Sequence, residues 1–158
     1  MQLIRNITGI ILWTVVITAS VYFFLDNVWA FFYGYRSAIF GESLFNNQVW
    51  FVMHLVGGSL ALLIGPMQFW KPLRDRYTDF HRLMGKIYII GCFLTGLSAL
   101  RLSLVSLCVP CRISLFITAV LLLFTTAAAW YTIKQRNVKA HRQFMVRSYV
   151  LLLAFVLV

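Results

Sequence analysis

Two stretches of the sequence repeat one arrangement of basic and aromatic residues. "TDFHRLMGKIY" (78–88) and "KAHRQFMVRSY" (139–149) each place a His-Arg pair where a polar segment enters an apolar run. Each stretch then reaches a Tyr about two helical turns later. Imidazole nitrogens are common metal ligands, and Arg is well suited to hold carboxylates. The repeated pattern therefore favours a bound redox group that carries acidic substituents.

The histidines and arginines of the two stretches fit the needs of haem b. Haem b takes axial imidazoles from helices that face each other, small residues where the ring lies, and basic groups for its propionates. We expect His81 and His141 to bind the iron, with Gly85 beside the ring. The expected propionate partners are Arg76, Arg82, Arg142 and Arg147. The alternative is that these side chains only extend to lipid headgroups at the membrane surface.

A third histidine, His54, lies inside an apolar run and is followed by small residues at helical spacing. Gly58, Ala61 and Gly65 share its helical face. Such a face lets a second helix or a flat cofactor approach closely. His54 is therefore either a cofactor or proton-handling residue, or a hydrogen-bonded histidine at a helix contact. Most of the hydrocarbon thickness separates it from the other two histidines, so it cannot share their iron.

The pair in "CVPC" is the remaining chemical candidate. Cys108 and Cys111 are predicted to lie in an outer loop, where a disulfide can persist. They are either a redox-active disulfide or a structural pair that closes a turn around Pro110. We favour the structural pair, because a disulfide oxidase needs a second cysteine pair and Cys92 stands alone.

Composition indicates what holds these residues in place. Hydrophobic residues make up 61% of the 158-residue chain and charged residues only 11%, whereas a soluble domain is about a quarter charged. The chain is predicted to be all-α, a polytopic transmembrane bundle forming a single domain over residues 1–158. We expect at least five spans, because a span needs about 20 apolar residues. They cover 3–25, 49–70, 82–104, 113–133 and a segment that begins near Phe144.

Both ends of the chain carry apolar runs that affect this interpretation. The first run could be a signal peptide, but it is long and lacks a clear cleavage site, so we expect it to be retained. The last run has no stop signal, and we expect the natural protein to continue past Val158.

Lysine and arginine predict the orientation of the bundle. They concentrate in the connections over 71–82 and 134–142, and the positive-inside rule places these in the cytoplasm. The N-terminus is then cytoplasmic too, and the expected location is the cell's inner membrane. The net charge of +10 follows mostly from this asymmetry. It predicts contact with anionic lipid rather than nucleic acid.

Four blocks in this order resemble a bacterial family of multi-pass membrane proteins, the domain of unknown function 2306. They are "HLVGG" (54–58), "GPMQF" (65–69), "HRLMGKIY" (81–88) and "HRQFMVRSY" (141–149). Members of the family usually have Trp where Phe144 stands, and they run on through at least one more helix. The resemblance implies that the three histidines are the functional set, but it implies no activity. The plan of the family is similar to that of di-haem cytochromes b.

Three functions remain open from the sequence. The first is a haem b-binding or other redox protein of the membrane. The second is a non-catalytic subunit that packs against a larger membrane complex through its aromatic and small-residue faces. Besides the lipid bilayer, the partners considered are other membrane subunits and a quinone. The third is a transporter or lipid-handling protein, which the scarcity of charge within the spans disfavours.

Overall fold

The structure, a computed structural model, describes residues 14–22, 25 and 47–157. Residues 14–22 are helical. The helices that follow are α1 (Gln48–Phe69), α2 (Lys71–Arg76), α3 (Thr78–Val105), α4 (Val109–Lys134) and α5 (Val138–Leu157). No strand occurs in the described part of the chain, so the prediction of an all-α protein is confirmed there.

Three of these helices, α1, α3 and α4, are long and apolar enough to cross a membrane. At 1.5 Å per residue even the shortest of them reaches about 33 Å, roughly one hydrocarbon thickness. The prediction of at least five spans is not confirmed. The first predicted span, 3–25, lies mostly outside the described residues, and α5 carries Lys139, Arg142 and Arg147 in its first half. These charges lower its mean hydropathy.

The helices begin earlier than the predicted spans at the two His-Arg stretches. α3 begins at Thr78 rather than at residue 82, and α5 begins at Val138 rather than near Phe144. Hydropathy marks where a chain enters an apolar layer and not where a helix begins. In α5 the residues before the apolar run include Lys139, Arg142 and Gln143, which are good helix formers. As a result His81 and His141 are each the fourth residue of their helix.

The local contacts at the starts of these two helices differ. The side-chain Oδ1 of Asn137 accepts the backbone N–H of Ala140 at 3.0 Å, which satisfies one of the free donors at the start of α5. In α3 the carboxylate of Asp79 instead accepts a hydrogen bond from Arg82 at 3.3 Å. Both of these side chains are exposed, so their ion pair stabilises the helix little.

The four long helices form a ring in which α1 packs on α3, α3 on α4, α4 on α5, and α5 again on α1. α3 and α5 therefore lie diagonally across the bundle. Short connections make successive helices antiparallel, so residues 70–77 and 135–137 lie at one end of the bundle. We call this the basic end, because it carries most of the Lys and Arg of the described residues.

The contact between α1 and α3 depends on two glycines. A Cβ added at Gly57 would lie 2.8 Å from the carbonyl oxygen of Gly91, and a Cβ added at Gly91 would lie 2.8 Å from that of Gly57. Real side chains do not tolerate such distances, so both positions need a hydrogen where other residues have Cβ. The two backbones approach as in other membrane helix pairs that meet through small residues.

Two tyrosines fill the interior of the bundle, one across the diagonal from α3 to α5 and the other between the neighbours α5 and α1. Tyr88 of α3 is fully buried, and its hydroxyl lies 2.9 Å from Ser148 Oγ of α5. Tyr149 donates to the carbonyl oxygen of Leu62 at 3.4 Å, and its ring fills the space that a side chain at Gly65 would need. These contacts close the bundle below the basic end.

Candidate functional site

A pocket of about 870 Å³ opens at the basic end of the bundle. It lies between the first turns of α3 and α5 and the last turns of α1 and α4. His81 and His141 both line it, as do Arg82 and Arg142. The structure thus brings the two His-Arg stretches together as walls of one site. The other lining residues are Gln68, Phe69, Arg74, Thr78, Gly85, Lys86, Ile89, Trp130, Ile133, Lys134, Arg136, Val138 and Met145.

The ring of His141 is held by the neighbouring helix. Its Nδ1 lies 2.9 Å from the carbonyl oxygen of Ala129 in α4. A carbonyl only accepts hydrogen bonds, so in the neutral ring Nδ1 carries the hydrogen and Nε2 keeps its lone pair. A backbone carbonyl on the second ring nitrogen is a common way to orient a metal-binding histidine. His141 Nε2 is therefore prepared to bind a metal or to accept a hydrogen bond.

Two polar atoms at the pocket are buried without a hydrogen-bond partner among the described residues. They are Nδ1 of His81 and Nε2 of Gln68. Buried polar atoms are nearly always paired, and each exception calls for an explanation such as a missing water or ligand. Both residues line the pocket, so an occupant of the pocket is the nearest source of partners.

The charge around the pocket is positive. Among the described residues that line the pocket, none is acidic and six are cationic: Arg74, Arg82, Lys86, Lys134, Arg136 and Arg142. Two of them are partly neutralised, because Arg74 pairs with Asp75 at 3.0 Å and Arg82 pairs with Asp79 at 3.3 Å. The Lys134 ammonium lies 4.8 Å from the centre of the Trp130 ring. The remaining positive charge favours an anionic occupant.

Two of the arginines predicted to hold propionates do not line the pocket. The guanidinium of Arg147 lies 5.2 Å from the centre of the Phe144 ring. That of Arg76 lies 5.7 Å from the centre of the Tyr77 ring. Each cation thus has an aromatic partner outside the pocket, in a cation–π arrangement. Spacing in the sequence predicts the position of a residue along the helix axis, but it does not predict whether its side chain faces the pocket.

His54 and Gly58 belong to the contact between α1 and α3, away from the pocket. His54 Nδ1 lies 3.2 Å from the carbonyl oxygen of Thr95, and Thr95 Oγ1 donates to the carbonyl oxygen of His54 at 3.2 Å. A Cβ at Gly58 would be 3.4 Å from Thr95 Oγ1, an ordinary contact. The geometry agrees with the hydrogen-bonded alternative for His54, which joins the two helices through this pair of bonds.

The small residue predicted beside the ring, Gly85, does line the pocket. A Cβ there would lie 3.2 Å from Gln68 Oε1, so the glycine leaves room for the Gln68 carboxamide. Sequence reasoning missed Gln68 and Lys86 as site residues. Lys86 could have been found from its spacing, because it lies one helical turn after Arg82. Gln68 is a lone polar residue in the block "GPMQF" and offered a weaker indication.

Cys108 and Cys111 form a disulfide at the end of the bundle opposite the pocket, with their Cα atoms 5.2 Å apart. Cys108 precedes the first residue of α4, and its Sγ accepts the backbone N–H of Cys111 at 3.3 Å. The disulfide thus closes the first turn of the helix. Cys92, the third cysteine, is free and buried in α3.

Comparison with known proteins supports the resemblance seen in the sequence. Comparison with curated proteins and with solved structures gives no match. The sequence model of the family described as "Predicted membrane protein (DUF2306)" matches residues 51–158. This range includes the whole ring of helices except the first three residues of α1, and it includes every residue that lines the pocket. This match covers more than half of the chain, and its description agrees with the three apolar helices. The chain therefore belongs to the DUF2306 family of predicted membrane proteins.

Proposed function

We propose that this membrane protein binds haem b in the pocket at its basic end and serves in electron transfer. The observation that carries the proposal is that His81 and His141, at equivalent positions of α3 and α5, line the same pocket. Histidines that only extend to lipid headgroups would point outward from the bundle, and they would not line one cavity from two diagonal helices. Two imidazoles in one pocket are the protein ligands that a six-coordinate haem b needs.

The residues of the pocket fit this group in three respects. His81 and His141 would hold the iron, and the bond from His141 Nδ1 to Ala129 leaves Nε2 available. Arg82 and Arg142 would hold the propionates. Apolar side chains such as Ile89 and Met145 line the same cavity, which is as large as typical cofactor pockets. Haem b, when bound, supplies one-electron chemistry, and the protein supplies ligation, orientation and positive charge.

The orientation belongs to the same proposal. The basic end faces the cytoplasm and the protein resides in the inner membrane, because short connections rich in Lys and Arg stay on that side. The described residues at the opposite end include only Arg101 and Arg112 as cations. The site would then exchange electrons with a donor or acceptor on the cytoplasmic side.

An absorption spectrum of the protein purified in detergent tests the proposal. We expect a Soret band and, after reduction, a sharp α-band typical of a six-coordinate haem b. His81→Ala and His141→Ala should each lose this spectrum, whereas His54→Ala should keep it. A folded protein that stays colourless when expressed with excess haem and mixed with hemin would rule out haem binding. Anionic phospholipid retained by such a colourless protein would favour the lipid-handling alternative.

A further inference from the structure

We infer that Gln68 binds the occupant of the pocket, donating an amide N–H to a carboxylate oxygen beside the ammonium of Lys86. This rests on the proposed haem site and assigns a propionate oxygen to a residue of α1. The two proposed iron ligands, His81 and His141, belong to α3 and α5. The inference therefore gives α1 a direct part in the site.

The burial of Gln68 is the first support. The residue is only 5% exposed, yet its Nε2 has no partner among the described residues. A buried amide without a partner loses its hydrogen bonds to water and gains none in return. Because Gln68 lines the pocket, an acceptor atom on the occupant restores what the amide loses.

The surroundings of the amide identify the kind of acceptor. Gln68 packs against Gly85, whose missing side chain leaves room for it. Lys86, the next residue of α3, also lines the pocket, and no acidic residue of the described segments does. Lys86 takes part in neither of the two ion pairs of the described residues. An N–H donor together with a free cation suits an anionic oxygen, and such charge-assisted bonds are the stronger ones.

Hemin and its dimethyl ester, which lacks both carboxylates, provide the probes. We expect the wild-type protein to bind hemin more tightly than the ester. Gln68→Leu should weaken hemin binding about tenfold or more, the effect of losing a hydrogen bond to a charged group. It should weaken ester binding much less. Gln143→Leu is the matched control, because Gln143 is exposed on α5 and does not line the pocket, so its affinity for hemin should not change.

The thermal stability of the haem-free protein separates ligand binding from a structural role. Leu is close in size to Gln and needs no hydrogen bond, so Gln68→Leu should unfold at the same temperature as the wild type or higher. A drop of several degrees would show that Gln68 has a partner within the chain and would overturn the inference. Equal hemin affinity in Gln68→Leu and wild type would also overturn it and leave the haem site standing. Failure of the wild type itself to bind hemin would overturn both.

Discussion

His81 and His141 occupy equivalent positions in their helices, but their ring nitrogens have different surroundings. Nδ1 of His141 is bonded to the Ala129 carbonyl, whereas Nδ1 of His81 is buried without a partner among the described residues. A histidine whose second ring nitrogen donates a hydrogen bond binds a metal more strongly than a histidine without that bond. In the proposed haem site the His81 bond is therefore the weaker of the two.

This difference predicts the order of ligand loss. Carbon monoxide added to the reduced protein should replace His81 and leave His141 bound. His81→Gly with added imidazole should restore the six-coordinate spectrum at lower imidazole concentrations than His141→Gly, because the remaining His141 stays oriented. Absorption titrations measure both. Equal imidazole requirements in the two variants would contradict the assigned difference.

The role of His54 predicts a separation of stability from cofactor binding. His54→Ala removes the bond to the Thr95 carbonyl, which should reduce the free energy of unfolding by about 1 kcal/mol. For a chain of this size that lowers the unfolding temperature by about 2–4 °C. The absorption spectrum of the proposed haem should be the same in this variant as in the wild type. Loss of haem from a folded His54→Ala protein would instead place His54 in a cofactor site of its own.

At the scale of helices, the close approach of α1 and α3 provides a pair of matched substitutions. Gly57→Ala places a Cβ 2.8 Å from the carbonyl oxygen of Gly91, whereas Gly58→Ala meets its nearest neighbour at 3.4 Å. We expect Gly57→Ala to destabilise the protein by about 1–3 kcal/mol, the usual effect of overpacking. Gly58→Ala should change stability little. Thermal unfolding in detergent compares the two, and equal stabilities would show that the helices separate without cost.

The start of α4 predicts that the cysteine pair is dispensable. Replacing Cys108 and Cys111 by Ser removes the disulfide but keeps a hydroxyl at the position before the helix, and Ser is among the best residues there. The disulfide also lies at the end opposite the pocket. The double variant should therefore fold, and the absorption spectrum of the proposed haem should be the same as in the wild type. A folded double variant without activity or haem would show that the pair has a redox role.

At the scale of the whole molecule, the ring of helices places three connections on two sides of the membrane. Residues 71–77 and 135–137 should be accessible from one side and residues 106–108 from the other. Single reporter cysteines at Lys71 and Gln135, introduced into a protein without native cysteines, should react alike in sealed vesicles. A cysteine restored at position 108 should react from the opposite side. Labelling of all three positions from one side would exclude this topology.

Several features of the protein follow from the sequence by itself. Hydrophobic residues make up 61% of the chain and charged residues only 11%, which is too little charge to cover the surface of a soluble protein. The composition therefore predicts membrane helices. Lys and Arg concentrate in every second connection. This pattern predicts that successive helices cross in opposite directions and so form antiparallel pairs. Matched spacing of His81 and His141 from their apolar runs gives equal depth. These are local or one-dimensional properties of the chain.

Which side chains meet was decided only by tertiary structure. Depth along a helix can be counted, but the rotation of the helix depends on all of its neighbours. Packing through Gly57 and Gly91 sets α1 against α3 and so brings Gln68 into the pocket. The ring order sets α3 opposite α5, which joins Tyr88 to Ser148 and brings the two histidines to one cavity. The same rotation turns Arg147 away to the Phe144 ring, although its distance along the helix had favoured the site.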